Sequence, residues 1–107
     1  MKQFEIWWVN LPAPAGRRPV LLLSRDSAYA YLNKFIVAEI TTTIRRISPE
    51  VPLGRTEGMA KPCVVNCDNL RTVPRSALVK QAGTVGLSRQ AEVKRAVGHA
   101  LGWVELL

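Results

Sequence analysis

A series of short apolar segments, each about as long as one β-strand, most constrains what this chain can fold into. Residues 5–11, 19–24 and 35–43 are rich in aromatic, β-branched and aliphatic side chains, and a Pro/Gly-containing turn separates the first two. Further runs of strand type follow at residues 50–53, 63–67, 70–73 and 78–85. The run at 19–24 is apolar almost throughout, which predicts a strand buried on both faces.

An amphipathic helix follows these strands. Ser88 is its predicted N-cap and Gly102 its C-terminal stop. Its predicted buried face consists of Val93, Ala96, Val97, Ala100 and Leu101. A shorter helix, capped by Asp26 and Ser27, is predicted to run to residue 33. Strands followed by one helix predict an α+β fold that is mainly β: a small curled β-barrel or half-barrel with a packed C-terminal helix, in one domain spanning residues 1–107.

The charge of the chain indicates a polyanionic partner. Lys and Arg number 15 against 8 Asp and Glu, which gives a net charge of +7. Such an excess favours nucleic acid, an anionic membrane or an acidic protein as the partner. No apolar run approaches the roughly 20 residues of a membrane span, so we expect no membrane partner. A single small domain has no room for a second cofactor-binding lobe, and the motifs of dinucleotide-binding folds and P-loops are absent, which argues against those enzyme classes.

Neither the cysteines nor the histidine indicate a metal site. Cys63 and Cys67 are four residues apart in a strand-like run, about 13 Å, which is too far for a disulfide. Reduced thiols fit a cytoplasmic protein. His99 is the one histidine and is predicted to be a solvated helix residue. With two cysteines and eight scattered acids, the sequence predicts neither a metal nor another cofactor.

Arginine is the remaining residue type that could stabilise charge in a reaction. Arg17 and Arg18 directly precede the buried second strand, and Pro19 restricts the backbone beside them. Guanidinium groups suit the dianionic phosphorane that forms when an RNA 2′-hydroxyl attacks its own phosphodiester, a reaction that requires no metal. The residues alone leave this role and that of a solvated loop end equally open.

Other polar and aromatic residues have two interpretations each. Residues 41–43 are three threonines, which either donate hydrogen bonds or reflect the β-propensity of threonine. Arg45 and Arg46 form a solvated basic loop unless they lie beside Arg18. Trp7 and Trp8 alternate along the first strand, so one packs in the core and the other is available for base stacking, packing or a dimer contact.

Five segments in this order resemble the MazF/PemK/Kid toxins: residues 5–11 (EIWWVNL), 16–21 (GRRPVL), 37–41 (VAEIT), 50–53 (EVPL) and 64–72 (VVNCDNLRT). The resemblance implies an SH3-like or CcdB-like β-barrel with a C-terminal helix that works as a homodimer. It also implies a metal-independent endoribonuclease that cuts single-stranded mRNA, tRNA or rRNA at short sequences. Cleavage leaves a 2′,3′-cyclic phosphate and a 5′-hydroxyl and inhibits translation. A cognate antitoxin blocks the RNA groove with a flexible acidic segment.

The resemblance also implies site residues. Arg18 matches the essential arginine of the R-P-V motif, and Thr41 the essential threonine of the third strand. Asp68 matches an acidic position with a catalytic role in some members, and Asn69 stands where many have a base-contacting Gln. The predicted RNA-binding residues are Arg17, Ser24, Arg25, Thr42, Thr43, Arg45 and Asn69. For Ser24, Asp68 and Asn69, turn and strand-end hydrogen bonding is the competing interpretation.

Two departures from the family pattern matter. The loop at residues 12–16 is short, which predicts a more open groove. Glu39 stands where Pro or Ala is common, on the same strand face as Thr41. One hypothesis is that Glu39 contacts Arg18 or acts as the general base, and the alternative is an exposed strand-end carboxylate.

Two other functions stay open at this point. CcdB toxins share this barrel, bind DNA gyrase and cleave no nucleic acid. The final segment, GWVELL, weakly resembles the C-terminal segment of those toxins. A plain RNA-binding barrel is the third alternative.

Overall fold

Six strands pair into one antiparallel sheet in this structure, a computed structural model that describes residues 1–107. In chain order the strands are β1 (Glu5–Asn10), β2 (Arg17–Leu22), β3 (Lys34–Thr41), β4 (Glu50–Leu53), β5 (Cys63–Pro74) and β6 (Leu78–Thr84). Their order across the sheet is β4-β5-β3-β2-β1-β6. Helix α1 (Ala28–Tyr31) joins β2 to β3, and helix α2 (Gln90–Leu101) follows β6. Neither helix is long and apolar enough to cross a membrane.

The sheet buries apolar side chains on both of its faces because side chains alternate along each strand. In β2, Leu21 belongs to one core, while Val20 and Leu22 belong to the other. All three are fully buried, which confirms the prediction that this strand is covered on both sides. Helix α2 covers the first core, and the second is completed where the rings of Tyr29 and Phe35 lie 4.7 Å apart.

Two glycines bring the ends of the sheet together. The chain leaves β4, makes a short 3-10 turn at Arg55–Glu57 and passes directly against β6. A Cβ at Gly83 would lie 1.8 Å from the carbonyl oxygen of Glu57, and one at Gly58 would lie 2.6 Å from the carbonyl oxygen of Ala82. Gly58 also has a φ of 93°, in the left-handed region that favours glycine. The edge strands β4 and β6 do not pair, so the sheet is curled but not closed.

The predicted strands are present, with shifted boundaries. The runs predicted at 63–67 and 70–73 form one strand, β5, whose register against β3 is interrupted. Strand β3 ends at Thr41, two residues before its predicted end. Helix α1 has four residues, and the Ser27 hydroxyl makes no capping bond but accepts a hydrogen bond from Arg25 Nε.

The start and the buried face of α2 also differ from prediction. Ser88 lies in a 3-10 turn, and Arg89 occupies the N-cap position without a side-chain cap. The Arg89 side chain instead binds the carboxylates of Glu57 and Glu92 and so ties α2 to the turn after β4. Leu101 was expected in the core but is 44% exposed.

The glycine contact generates a prediction about stability. Gly83→Ala places a methyl group against the Glu57 backbone, which must then move, so we expect the free energy of unfolding to fall by about 1–3 kcal/mol. Gly86→Ala is the matched control, because a Cβ there meets no atom within 4 Å. Urea denaturation of both variants measures the difference. Equal stability of the two variants would contradict the proposed role of this contact.

Candidate active site

The pairing of β2 with β3 ends where the candidate site begins. The last paired residues are Val20 and Glu39. Continuing this register by two residues would place Arg18 opposite Thr41, on the same face of the sheet. Pro19 has no backbone N–H to donate, so it cannot extend the ladder as another residue could. The ends of β2 and β3 therefore flank a gap rather than a continuous sheet.

A groove of about 530 Å³ opens at this gap. One wall consists of Arg17, Arg18 and Pro19 from β2, and the end of β3 adds residues 40–42. The opposite wall is the segment 58–61 that the glycine contact holds against β6. The structure thus brings together Arg17, Arg18, Thr41 and Thr42 of the predicted site.

The short loop after β1 holds Arg18 in place. Arg18 Nε donates a hydrogen bond to the carbonyl oxygen of Ala15 at 3.1 Å, and Ala15 itself lines the groove. The loop is closed by a 2.9 Å bond from the Leu11 N–H to the Gly16 carbonyl. Neither Nη group of Arg18 has a protein acceptor, so both can donate to an anion.

The Thr41 hydroxyl is oriented by the backbone beyond it. Its oxygen accepts a 3.1 Å hydrogen bond from the Thr43 N–H, which leaves the hydroxyl hydrogen free to donate. Thr42 lines the groove, whereas Thr43 is exposed just outside it. The end of β3 therefore offers a fixed hydroxyl across the gap from a fixed guanidinium.

The groove is positively charged and has an aromatic wall. Arg17 stacks over the ring of Trp8 at 5.2 Å, and both residues line the groove. Lys61 adds a third cation to Arg17 and Arg18. No Asp or Glu side chain lines the groove. This electrostatic arrangement suits a polyanionic chain with unpaired bases.

Glu39 does not contact Arg18, which corrects that part of the hypothesis. Its carboxylate forms an ion pair with Arg71 Nη1 at 3.2 Å, and Glu39 does not line the groove. The side chains of Glu39 and Arg71 are 23% and 37% exposed. Ion pairs of such exposure contribute about 0.2–1 kcal/mol to stability. The Glu39 carboxylate is therefore engaged with Arg71 outside the groove.

Asp68 and Asn69 lie in a bulge of β5 beside this ion pair. Glu39 pairs with Asn66 and Ala38 pairs with Leu70, so the residues between Asn66 and Leu70 have no partner on β3. The Asp68 N–H donates to Asn66 Oδ1 at 3.0 Å. Asp68 and Asn69 are exposed and lie outside the groove lining.

Ser24 and Arg25, which were predicted to bind RNA, follow the opposite end of β2 from Arg18 and do not line the groove. Six residues of extended chain separate Ser24 from Arg18, or about 20 Å. The Ser24 hydroxyl is buried and accepts the Ile36 N–H at 2.8 Å. Ser24 thus makes the strand-end hydrogen bond that was the alternative interpretation of this residue.

A buried carboxylate holds the loop that carries Arg45. Glu50 Oε1 accepts the backbone N–H groups of Arg45 and Arg46, each at 3.0 Å. Arg46 has a φ of 58°, and both arginine side chains are exposed. The loop leads directly from Thr42 and Thr43, so Arg45 follows the groove in the chain without lining it.

The wall formed by residues 58–61 and by Ala82 was not among the predicted site residues. Residues 54–62 have the composition of a polar connection, and Lys61 belongs to no motif. Two glycines, Gly58 and Gly83, were the available signal. Their meaning depends on a contact between segments 25 residues apart in the chain, which no local pattern shows.

Both cysteines are free and buried. Burial raises the pKa of the Cys63 thiol, and Cys63 lines the groove. Burial, with a smaller contribution from Asp68, raises the pKa of Cys67 to about 11. Both thiols are therefore protonated and poor nucleophiles at neutral pH. The His, Cys, Asp and Glu side chains form no group of three or more that could hold a metal ion.

Comparison with known proteins places the chain in a family. Residues 2–101 match the family described as PemK-like, MazF-like toxin of type II toxin–antitoxin systems. The chain belongs to this family. A relative named endoribonuclease MazF3 from Mycobacterium tuberculosis is 40% identical over 89 residues, which cover 81% of this chain and 86% of the relative. A second relative from that organism, named probable endoribonuclease MazF5, is 38% identical over 91% of this chain and 85% of its own length.

Solved structures agree with this membership. The Mycobacterium tuberculosis toxin MazF-mt6 has a TM-score of 0.86 and 36% identity, with 92% of this chain and 96% of that chain covered. MazF from Deinococcus radiodurans has a TM-score of 0.78 and 26% identity, with 95% and 96% covered. The resemblance drawn from the five sequence segments is confirmed. The CcdB-like alternative is not favoured.

The buried thiol generates a prediction about pH. Because the folded state keeps a Cys67 proton that the unfolded chain loses above about pH 9, the contribution of this group to stability is constant below that pH and falls as the pH rises toward 11. We expect the free energy of unfolding to fall by about 1.4 kcal/mol between pH 8 and pH 10 through this group. Urea denaturation at both pH values measures the change.

Cys67→Ala separates this effect from other groups that titrate in the same range. The variant loses packing at every pH, so the slope and not the absolute stability is compared. Between pH 8 and pH 10, we expect the free energy of unfolding of the variant to fall by about 1.4 kcal/mol less than that of the unsubstituted protein. An unchanged slope would show that Cys67 does not cause the pH dependence.

Proposed function

We propose that this protein is a metal-independent, sequence-selective endoribonuclease toxin that cleaves single-stranded RNA. The observation that carries the proposal is the meeting of Arg18 and Thr41 at one groove, where the β2–β3 ladder ends. Membership of the PemK/MazF-like toxins and the names of the most similar relatives support it. The product ends are a 2′,3′-cyclic phosphate and a 5′-hydroxyl, and loss of RNA inhibits translation.

The proposed reaction uses the nucleophile of the substrate. The 2′-oxygen forms a bond to phosphorus, the bond from phosphorus to the 5′-oxygen breaks, and water accepts the 2′ proton and returns one to the 5′-oxygen. The Nη groups of Arg18 stabilise the phosphorane dianion, and the Thr41 hydroxyl donates a further hydrogen bond. Arg18 does not act as the base, because a free guanidinium has a pKa above 12.

The RNA is proposed to follow the cationic wall. Arg17 and Lys61 bind phosphates beside Arg18, and Trp8 offers its ring to an unpaired base. Thr42 contacts the sugar-phosphate backbone within the groove. The RNA-binding surface extends outside the groove to three residues, Thr43, Arg45 and Asn69. Asp68 directly precedes Asn69 in the chain.

The partners are proposed to be a cognate antitoxin and a second copy of this chain. A flexible acidic antitoxin segment fits a groove that three cations and no carboxylate line. Large apolar side chains that are exposed in the single chain, among them Tyr31, Leu87 and Val104, are available for a homodimer contact. The two free cysteines favour the cytoplasm as the location, and the whole of residues 1–107 acts as one domain.

Cleavage of a long RNA in EDTA tests the proposed function. The purified protein should produce new 5′-hydroxyl ends. Arg18→Ala should lower the cleavage rate roughly 100- to 1000-fold, because it removes the principal donors to the developing charge. Thr41→Ala removes one neutral donor and should cost less.

Arg95→Ala provides the matched arginine control, because Arg95 lies exposed on α2 outside the groove. Its cleavage rate should equal that of the unsubstituted protein. Thermal melting of all three variants excludes unfolding as the cause of a loss. Wild-type protein that leaves RNA intact, or an Arg18→Ala variant as active as Arg95→Ala, would overturn the proposal. Arrested gyrase without RNA cleavage would indicate the CcdB-like activity instead.

A further inference from the structure

The Glu39–Arg71 ion pair spans the bulge of β5. Glu39 is opposite Asn66, the last paired residue before the bulge, and Arg71 follows Leu70, the first paired residue after it. The 3.2 Å contact between their side chains therefore links the β3 residue opposite the start of the bulge to a β5 residue just beyond its end. The unpaired residues between these ends are Cys67, Asp68 and Asn69.

The inner side of the bulge is fixed separately. Cys67 is 1% exposed and packs in the first core, and its N–H donates to the Pro49 carbonyl at 2.9 Å. Asn66 is also buried and accepts the Asp68 N–H. Asp68 and Asn69 are consequently displayed outward, and no side-chain hydrogen bond of their own holds them. The far end is fixed by the pairing of Leu70 with Ala38, and the ion pair is the side-chain contact that adds to it.

The displayed segment lies beside the reaction centre on the same strand pair. Glu39 and Thr41 share a face of β3 and are two residues apart, or about 7 Å. The surface next to Thr41, on the side of Glu39, therefore presents three polar groups. They are the carboxylate of Asp68, the amide of Asn69 and the guanidinium of Arg71. These groups match the donors and acceptors on the edge of an unpaired base.

We propose that Glu39 and Arg71 act as a pair of positioning residues that set the base preference of the cleavage reaction. This inference rests on the proposed function. The pair holds the bulge so that Asp68 and Asn69 meet the base next to the cleaved bond. Because the pair is partly exposed, its loss changes the position of the bulge more than the stability of the fold.

The test compares Glu39→Gln, Arg71→Gln and the double variant on an RNA library, with the positions of new 5′-hydroxyl ends as the readout. Each single variant should lower the preference for the best site over its single-base variants by at least about fivefold. The double variant should resemble the singles, because either substitution already breaks the pair. The exchanged pair, Glu39→Arg with Arg71→Glu, should recover part of the preference.

Glu92→Gln is the matched control, since it breaks a different surface ion pair, with Arg89, far along the chain from the site. Its site preference should equal that of the unsubstituted protein. Equal site distributions for Glu39→Gln and the unsubstituted protein would overturn the inference while leaving the proposed function intact. A larger loss in Arg71→Gln than in Glu39→Gln, without recovery in the exchanged pair, would also overturn it, because Arg71 would then contact RNA directly. A wild-type protein that cuts no RNA would refute the proposed function itself.

Discussion

The close approach of two backbone segments at Gly58 and Gly83 is the constraint on which the rest of the structure depends. The 1.8 Å separation that a Cβ at Gly83 would have from the Glu57 oxygen leaves room for no side chain. Around this point Glu57 is buried and binds Arg89, which in turn begins α2. One contact thereby sets the curl of the sheet, the position of the helix and the second wall of the groove.

The groove itself follows from the end of a hydrogen-bond ladder. A proline at position 19 stops β2 from extending its pairing with β3, and the gap that results is flanked by the guanidinium of Arg18 and the hydroxyl of Thr41. Both groups are fixed by backbone atoms of neighbouring loops, through Ala15 and Thr43. Preorganised donors of this kind require little rearrangement when charge develops, which is the main physical source of electrostatic catalysis.

Local patterns predicted the strands, α2 and its C-terminal glycine, because periodicity and turn residues act over a few positions. They also placed Arg18 directly before the second strand and Thr41 near the end of the third, and the family resemblance assigned both to one site. They could not identify the ion-pair partner of Glu39, because Arg71 is 32 residues away in the chain. They also could not show that the Ser24 hydroxyl accepts a hydrogen bond from the Ile36 N–H. The bulge in β5 could not be predicted either, because the residues on its two sides have the pattern of two separate strands. Tertiary contacts decided each of these points.

The two walls of the groove come from distant parts of the chain, and this has a consequence during synthesis. Residues 17–19 and 40–42 leave the ribosome early, but the facing wall at 58–61 rests on β6 and is held by Gly83. A chain without Gly83 in place has its arginine and threonine but lacks the second wall of the groove. By the order of the strands alone, the groove is therefore complete only after β6 has been made and has joined the sheet.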